Sequence, residues 1–364
     1  MKMLLSGILA VALLGSAPTP APIIANNFPV AATTRDGSKD WAFEYGTWRT
    51  HYRLLVRRLA HSHTWYDCYG TSIVTPFWGG EGNLEDGDLK CPHRYIGGMA
   101  LRMYNPRTRQ WTIWWGTRRL AVSPPAQVGH FENTGVGRFY SYDNWQGTPI
   151  ITRFQWSVPH GNPRFEQAFS TDGGKTWETN WTTDYTRVSS ATPGVWNRPD
   201  KAQGVHGGFA FLAGTWNLHI KRLAHPLSGR EDWVSCSGPS TDHQFWGGAG
   251  DFQEARITCG ARTINALTLR LYYAASGRWL SYWATQANGL ATGLPIVGTL
   301  DAHGNGKLTG PDVLNGKPIL TRTRWSTPHK NPHLEQAYSA DDGKTWETNW
   351  ITDYTCAAAR ADCL

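Results

Sequence analysis

The chain repeats itself, and that constrains it more than any other feature. Ser170 to Thr186 reads STDGGKTWETNWTTDYT, and Ser339 to Thr355 reads SADDGKTWETNWITDYT. Between Asp172–Tyr185 and Asp341–Tyr354, 12 of 14 positions are identical. Biased composition alone would not hold Trp177, Trp181, Glu178 and Asn180 in register with Trp346, Trp350, Glu347 and Asn349. One domain written twice is the consequence, and each half must bury its own core.

Other residues keep the same beat. Cys68 and Cys91 in the first copy become Cys236 and Cys259 in the second at a shift of 168 positions. In an oxidising compartment this pattern predicts one disulfide per copy. Each closes a 23-residue loop, worth roughly 3 kcal/mol by chain entropy. Cys356 and Cys363 would clip the tail to itself. No Cys-x-x-Cys pair occurs and no histidine is placed to complete a tetrahedron, so no metal site is expected. The N-terminus points to the same compartment: Lys2, an apolar run from Leu4 to Leu14, then small residues and prolines, the pattern of a Sec-type signal peptide over 1–25. The expected product is secreted or periplasmic and not membrane-spanning, since no run approaches twenty apolar residues. The net charge of +7 is spread out, with short clusters only at Arg57-Arg58 and Arg118-Arg119. A nucleic-acid partner would want it gathered on one face, and none is expected.

The expected order is a loose leader at 26–40, copy one at 41–188, a Pro/Gly/Ser-bearing linker at 189–207, copy two at 208–355 and a tail at 356–364. Within each copy, runs of four to eight residues rich in Thr, Trp, Tyr, Ile and Val alternate with glycine and proline. No helical period is sustained. The class is all-β, with antiparallel strands closing on themselves. Ser-x-Asp-x-Gly-x-Thr-Trp is a turn recipe, in which the aspartate accepts backbone amides and glycine supplies positive φ. It resembles the Asp-box hairpin of sialidases, a structural turn found on many β folds. Gly46-Thr47-Trp48 and Gly214-Thr215-Trp216 resemble the Gly-x-Trp opening of the calycins. That resemblance implies two tandem lipocalin-like antiparallel β-barrels of roughly eight to ten strands each. Leu101 to Tyr104, Phe165 to Phe169 and Asp172–Trp181 are also similar to an uncharacterised family of exported bacterial proteins, which brings no activity with it.

Side chains alternate across a strand, so the hairpins sort into faces. Pairing Phe169 near Trp177 and Phe165 near Trp181 puts Phe154 and Trp156 on an aromatic face. Arg153, Glu166 and Asn180 then share a polar face, as do Arg322, Glu335 and Asn349 in copy two. Either the aromatic face fills the core, or the polar set lines a hollow. The survival of the polar set in both copies raises the second reading. A second set alternates with Leu101 and Met103: Arg102 and Tyr104, recurring as Arg270 and Tyr272.

On the hollow-barrel reading the chain binds a small, partly aromatic organic molecule, acidic or phenolic, with Arg102, Tyr104, Asn180, Arg270, Tyr272 and Asn349 as ligand contacts. Glu166 with Arg153, and Glu335 with Arg322, would be the catalytic groups if cofactor-independent acid–base chemistry of an isomerase, lyase or cyclase type occurs. No cofactor is expected, because no nucleotide-binding glycine pattern or Walker loop occurs. Two alternatives stand beside it. The twenty tryptophans could serve a carbohydrate-binding module pair, or the chain could be a non-catalytic envelope protein. The sequence does not specify oligomeric state.

Overall fold

A computed structural model describes residues 33–191, 208–290, 294–327 and 331–357. The expected signal peptide, most of the linker and Cys363 lie outside them. Ten antiparallel strands close the first barrel: β1 (Gly46–Leu55), β2 (Trp65–Phe77), β3 (Gly82–Cys91), β4 (Arg94–Asn105), β5 (Gln110–Thr117), β6 (Ala121–Phe131), β7 (Gly137–Trp145), β8 (Thr148–Ser157), β9 (Arg164–Ser170) and β10 (Glu178–Ser189). Neighbours in sequence are neighbours in space, and β10 returns to pair with β1. The second barrel repeats this with β11 (Gly214–Leu223), β12 (Trp233–Phe245), β13 (Gly250–Cys259), β14 (Arg262–Tyr273), β15 (Arg278–Thr285), the two-residue β16 (Gly289–Leu290), β17 (Ile296–Leu300), β18 (Gly306–Leu314), β19 (Lys317–Ser326), β20 (His333–Ser339) and β21 (Glu347–Cys356). Pairing of β14 with β15, β15 with β17 and β21 with β11 makes a second closed ring of ten. Closure pairs both edges of each of the ten ring strands, and among the described residues the two-residue β16 is left with an open edge.

The first strand shows how sequence writes the barrel. In β1, Trp48, Thr50, Tyr52 and Leu54 are buried while Arg49 and Arg53 face outward, the period of two that a half-buried strand requires. The Gly-x-Trp tryptophan has a specific task. Trp48 Nε1 donates to the Glu44 carbonyl at 2.7 Å, and Trp216 Nε1 to the Leu212 carbonyl at 2.6 Å. Each bond anchors a short 3-10 turn, Asp40–Glu44 or Phe209–Leu212, across one end of its barrel. Trp41 on the first turn is fully buried, with ring centroids 4.9 Å from Trp156 and 5.1 Å from Phe131. The end of the leader is not loose: Trp111 Nε1 donates to the Gly37 carbonyl at 2.9 Å and Tyr104 Oη to Asp36 at 3.1 Å. An indole and a phenol at the barrel base give that segment partners its polar sequence did not advertise.

The two disulfides join Cys68 to Cys91 and Cys236 to Cys259. Cys356 is disulfide-bonded. At the Asp turns, Asp172 accepts from Lys175 N, Thr176 N and Thr176 Oγ1, and Asp341 accepts the equivalent bonds from Thr345.

The long buried run of β4 has a cause outside its own barrel. Ala100, Arg102 and Tyr104 point inward, whereas Met99, Leu101 and Met103 join Leu267, Leu269 and Leu271 of β14 in one apolar cluster. These are equivalent positions in the two copies, so the barrels meet through the same face, as in an isologous dimer. Phe77 packs on Phe252 at 5.2 Å, and the Trp246 indole donates to buried Asp86 at 2.9 Å. The Phe-Trp-Gly-Gly corners at Phe77–Gly80 and Phe245–Gly248 thus serve the joint between barrels.

Candidate functional site

Strand parity decides what lies inside. On β8 and β9, Phe154, Trp156, Phe165 and Gln167 face the interior. Arg153 lies outside, its guanidinium 4.5 Å from the Trp177 ring, and Glu166 pairs with Arg164 at 3.1 Å. In copy two, Arg322 stacks on Trp346 at 4.2 Å, and Glu335 is 43% exposed. The Arg–Glu sets expected to line a hollow therefore sit on the outer wall. The β8–β9 pairing sorts the faces as expected, with the aromatic one inside, and the hairpin register moves only the asparagine. Phe169 pairs with Glu178, not Trp177, and a bulge at Asn180 shifts the ladder again, so that Gln167 faces Trp181. A bulge lets two neighbours share a side. Asn180 accordingly turns inward and accepts from Gln167 Nε2 at 2.7 Å; Asn349 does the same with Gln336 at 3.1 Å.

Arg102 and Arg270 lie within the barrels near the 3-10 turn, 0% and 2% exposed. The Arg102 guanidinium is 4.2 Å from the Trp41 ring centroid, and Arg270 is 4.7 Å from Phe209. A cation this deep requires counter-charge. Arg102 Nη1 is 2.9 Å from Glu44 and from Asn83 Oδ1, and Nη2 bonds Glu85. Arg270 bonds Asp251, lies 3.2 Å from Asp242 and donates to Gln253 at 2.9 Å. Each arginine has two carboxylates, drawn from different positions. Glu44, Val74, Asn83 and Glu85 in copy one stand where copy two has Leu212, Asp242, Asp251 and Gln253. Burial pushes the Glu44 carboxyl up to about 8. Burial and then Asp251 hold Asp242 well above the carboxylate range. One acid of each pair therefore keeps its proton at neutral pH, and each cluster is close to neutral overall.

Tyr104 and Tyr272 lie at the same closed end and pack on Trp111 and Trp279 at 5.4 and 5.6 Å. They belong to the base, not to the cavity wall.

The two interiors are unequal. The first contains a void of about 70 Å³, the second a cavity of about 280 Å³. Copy one has Tyr52, Ile113, Phe154 and Phe165 where copy two has Ile220, Ser281, Thr323 and Leu334, and the larger side chains fill the first barrel. In the second, Arg270 and Phe209 lie toward the closed end. Trp283 and Leu294, 48% and 39% exposed, mark the mouth at the Asp-turn end. The loop after β11 is tied there by Glu347, which accepts from Leu227 N at 2.5 Å, as Glu178 accepts from Leu59 N at 2.7 Å. The wall is mainly apolar and aromatic, with a polar row of Thr323, Gln336, Asn349 and Tyr354. The buried Thr323 hydroxyl has no hydrogen-bond partner among the described residues. Among the described residues no cluster of three metal-ligating side chains occurs. No described helix is long and apolar enough to cross a membrane. Among the described residues Trp233 and Trp283 are the exposed tryptophans, and Trp283 lies 6.3 Å from Trp350 at 67° rather than coplanar with it.

The fold and site define a class: a tandem of closed ten-stranded antiparallel barrels, one filled and one hollow. No family model matches the chain, and no curated protein does. Among solved structures, a protein of unknown function from the DUF3598 family of Nostoc punctiforme is 10% identical with a TM-score of 0.25. The match covers 89% of this chain and 100% of that one. Kievitone hydratase from Nectria haematococca is 8% identical with a TM-score of 0.17, over 92% of this chain and 95% of that one. Similarity at this level carries no argument about chemistry.

Proposed function

We propose that this is a calycin-like tandem whose second barrel holds one small, mainly apolar and partly aromatic organic molecule, with the first barrel as its structural partner. The observation that carries this reading is the contrast between about 280 and about 70 Å³ of interior space on the same ten-stranded frame. Small-molecule sites run from about 300 Å³ upward, with apolar walls and a few polar groups, and the larger cavity lies near that lower bound. Ile220, Leu334, Trp325 and Trp350 supply apolar surface, while Thr323, Gln336 and Asn349 offer hydrogen bonds. Arg270 is already neutralised by Asp242 and Asp251, so the floor does not attract a free anion. The two disulfides favour an oxidising environment, and we assign the chain to the secreted or periplasmic space on that ground together with its Sec-type N-terminus. Binding is preferred to acid–base catalysis because Glu166 and Glu335 stand outside the barrels.

The test is titration with N-phenyl-1-naphthylamine, a neutral dye that brightens in apolar cavities. Wild type should show saturable binding at one site per chain. Thr323→Phe, which installs the residue found at Phe154, should weaken it by about tenfold or more, since a ring would displace the ligand. Two equal sites per chain, or a Thr323→Phe variant that folds and binds as wild type does, would refute the reading.

A further inference from the structure

The second barrel holds one more cation, and unlike Arg270 it is unmatched. Arg222 follows Trp216, Leu218 and Ile220 on the inward side of β11, one residue from the strand end nearest the mouth, and it lines the cavity. Its counterpart in the filled barrel is Leu54, which is buried. The Arg222 Nε is buried without a hydrogen-bond partner. Among the described residues no ion pair within 4.0 Å and no ring stacking satisfies its guanidinium. The other cavity-lining arginines, Arg102 and Arg270, each carry two carboxylates.

A carboxylate does line the same cavity. Asp312 on β18 already accepts from Thr321 Oγ1 at 3.0 Å and Val313 N at 2.7 Å. It forms no salt bridge with Arg222 among the described residues. Tyr338, whose hydroxyl burial and then Asp312 push up to about 12, remains neutral beside them. The mouth thus offers a carboxylate that already accepts two hydrogen bonds and an arginine whose buried Nε makes none among the described residues. Arg222 is half-buried, and its Nε is buried without a partner; the desolvation cost of such a donor is one that a ligand oxyanion can offset through charge-assisted hydrogen bonds.

We propose that Arg222 anchors a carboxylate at the mouth of the second barrel, so that the ligand is an amphipathic organic acid with its apolar body inward. This rests on the cavity reading above and gives it a ligand class and an orientation. The opposite orientation, with the acid at the floor, is disfavoured because Asp242 and Asp251 already surround Arg270.

The experiment compares 2-naphthoate with its neutral amide, 2-naphthamide, by tryptophan quenching of the full chain at neutral pH. Wild type should prefer the carboxylate by about tenfold, the scale of one charge-assisted pair. Arg222→Leu, carrying the residue that copy one tolerates at Leu54, should abolish that preference while leaving naphthamide within about threefold of wild type. Arg222→Lys should keep a reduced preference, because the charge remains without the planar fork. A preference that survives Arg222→Leu, or is absent from wild type, overturns the assignment of Arg222. If N-phenyl-1-naphthylamine still binds in that case, the cavity reading stands without it. Failure of all three compounds to bind overturns both.

Discussion

Glu44→Gln is the perturbation that best tests the electrostatics of the first barrel. Glu44 is fully buried on the 3-10 turn, 2.9 Å from Arg102, and receives the Trp156 indole N–H at 3.3 Å. Burial raises its carboxyl from 4.5 to about 8. A carboxyl raised on folding holds its proton in the native state and loses it in the unfolded chain. Its linkage therefore destabilises the fold as pH rises from the unfolded value toward the folded one. The slope approaches about 1.4 kcal/mol per pH unit, so between pH 5 and 8 wild type should lose up to about 4 kcal/mol relative to the glutamine variant. Glutamine mimics the protonated acid, and Glu85, Arg102 and Tyr185 remain as they were, so the difference isolates Glu44. At about 2–4 °C per kcal/mol for a domain of this size, the relative shift in Tm is on the order of 10 °C. Thermal melts of both proteins at half-unit steps from pH 5 to 8 measure it. The variant should gain steadily on wild type as pH rises. A pH-independent difference, or a variant that loses ground toward pH 8, would refute the assignment of the proton to Glu44.

Two further outcomes follow from contacts elsewhere. Cys68→Ser with Cys91→Ser should cost roughly 3 kcal/mol, as should the equivalent pair at Cys236 and Cys259. Because the two bridges lie in separate barrels, the losses in urea unfolding should add; a quadruple variant no less stable than either double would contradict this. Asp86→Ala should cost about 1–3 kcal/mol by leaving the Trp246 indole N–H buried and unpaired, read as a lower Tm by calorimetry, and an unchanged Tm would show that the joint does not depend on this bond.

Much of the architecture was legible in the residues. The repeat, the strand alternation and the cysteine offset lead to two disulfide-bearing antiparallel barrels, and closure is how such sheets remove their edges. The alternation sorts β8 and β9 correctly, with Phe154, Trp156 and Phe165 on one face and Arg153 and Glu166 on the other. The aromatic face is the inner one, and only Asn180 changes sides, because parity is only as good as the register beneath it. A bulge at Asn180 has no signature in the alternation, and each one-residue shift exchanges the faces. Glu44 escaped notice for another reason. It lies outside the strand pattern, and its partner Arg102 is 58 positions away, so only the closed barrel brings them together. Arg222 did carry a readable signal: it is an arginine on the inward parity of β11 where the first copy has Leu54.

The two copies also separate structural charge from charge available for recognition. Around the deep arginine, both barrels keep two carboxylates, yet Glu44 and Glu85 in one are Leu212 and Gln253 in the other, while Val74 and Asn83 become Asp242 and Asp251. What is shared is the count of acids, not their positions. A buried guanidinium with two carboxylates and one retained proton sums to no net charge, and that neutrality permits burial beside Trp41 or Phe209. Such a cluster braces the closed end and has no charge to spare for a ligand. Arg222 forms no ion pair among the described residues, and Asp312, the carboxylate that lines the same cavity, is bonded instead to Thr321 and Val313. A half-buried cation without an ion pair among the described residues of the hollow barrel, replaced by leucine in the filled one, is what the proposed anchoring of a ligand carboxylate requires.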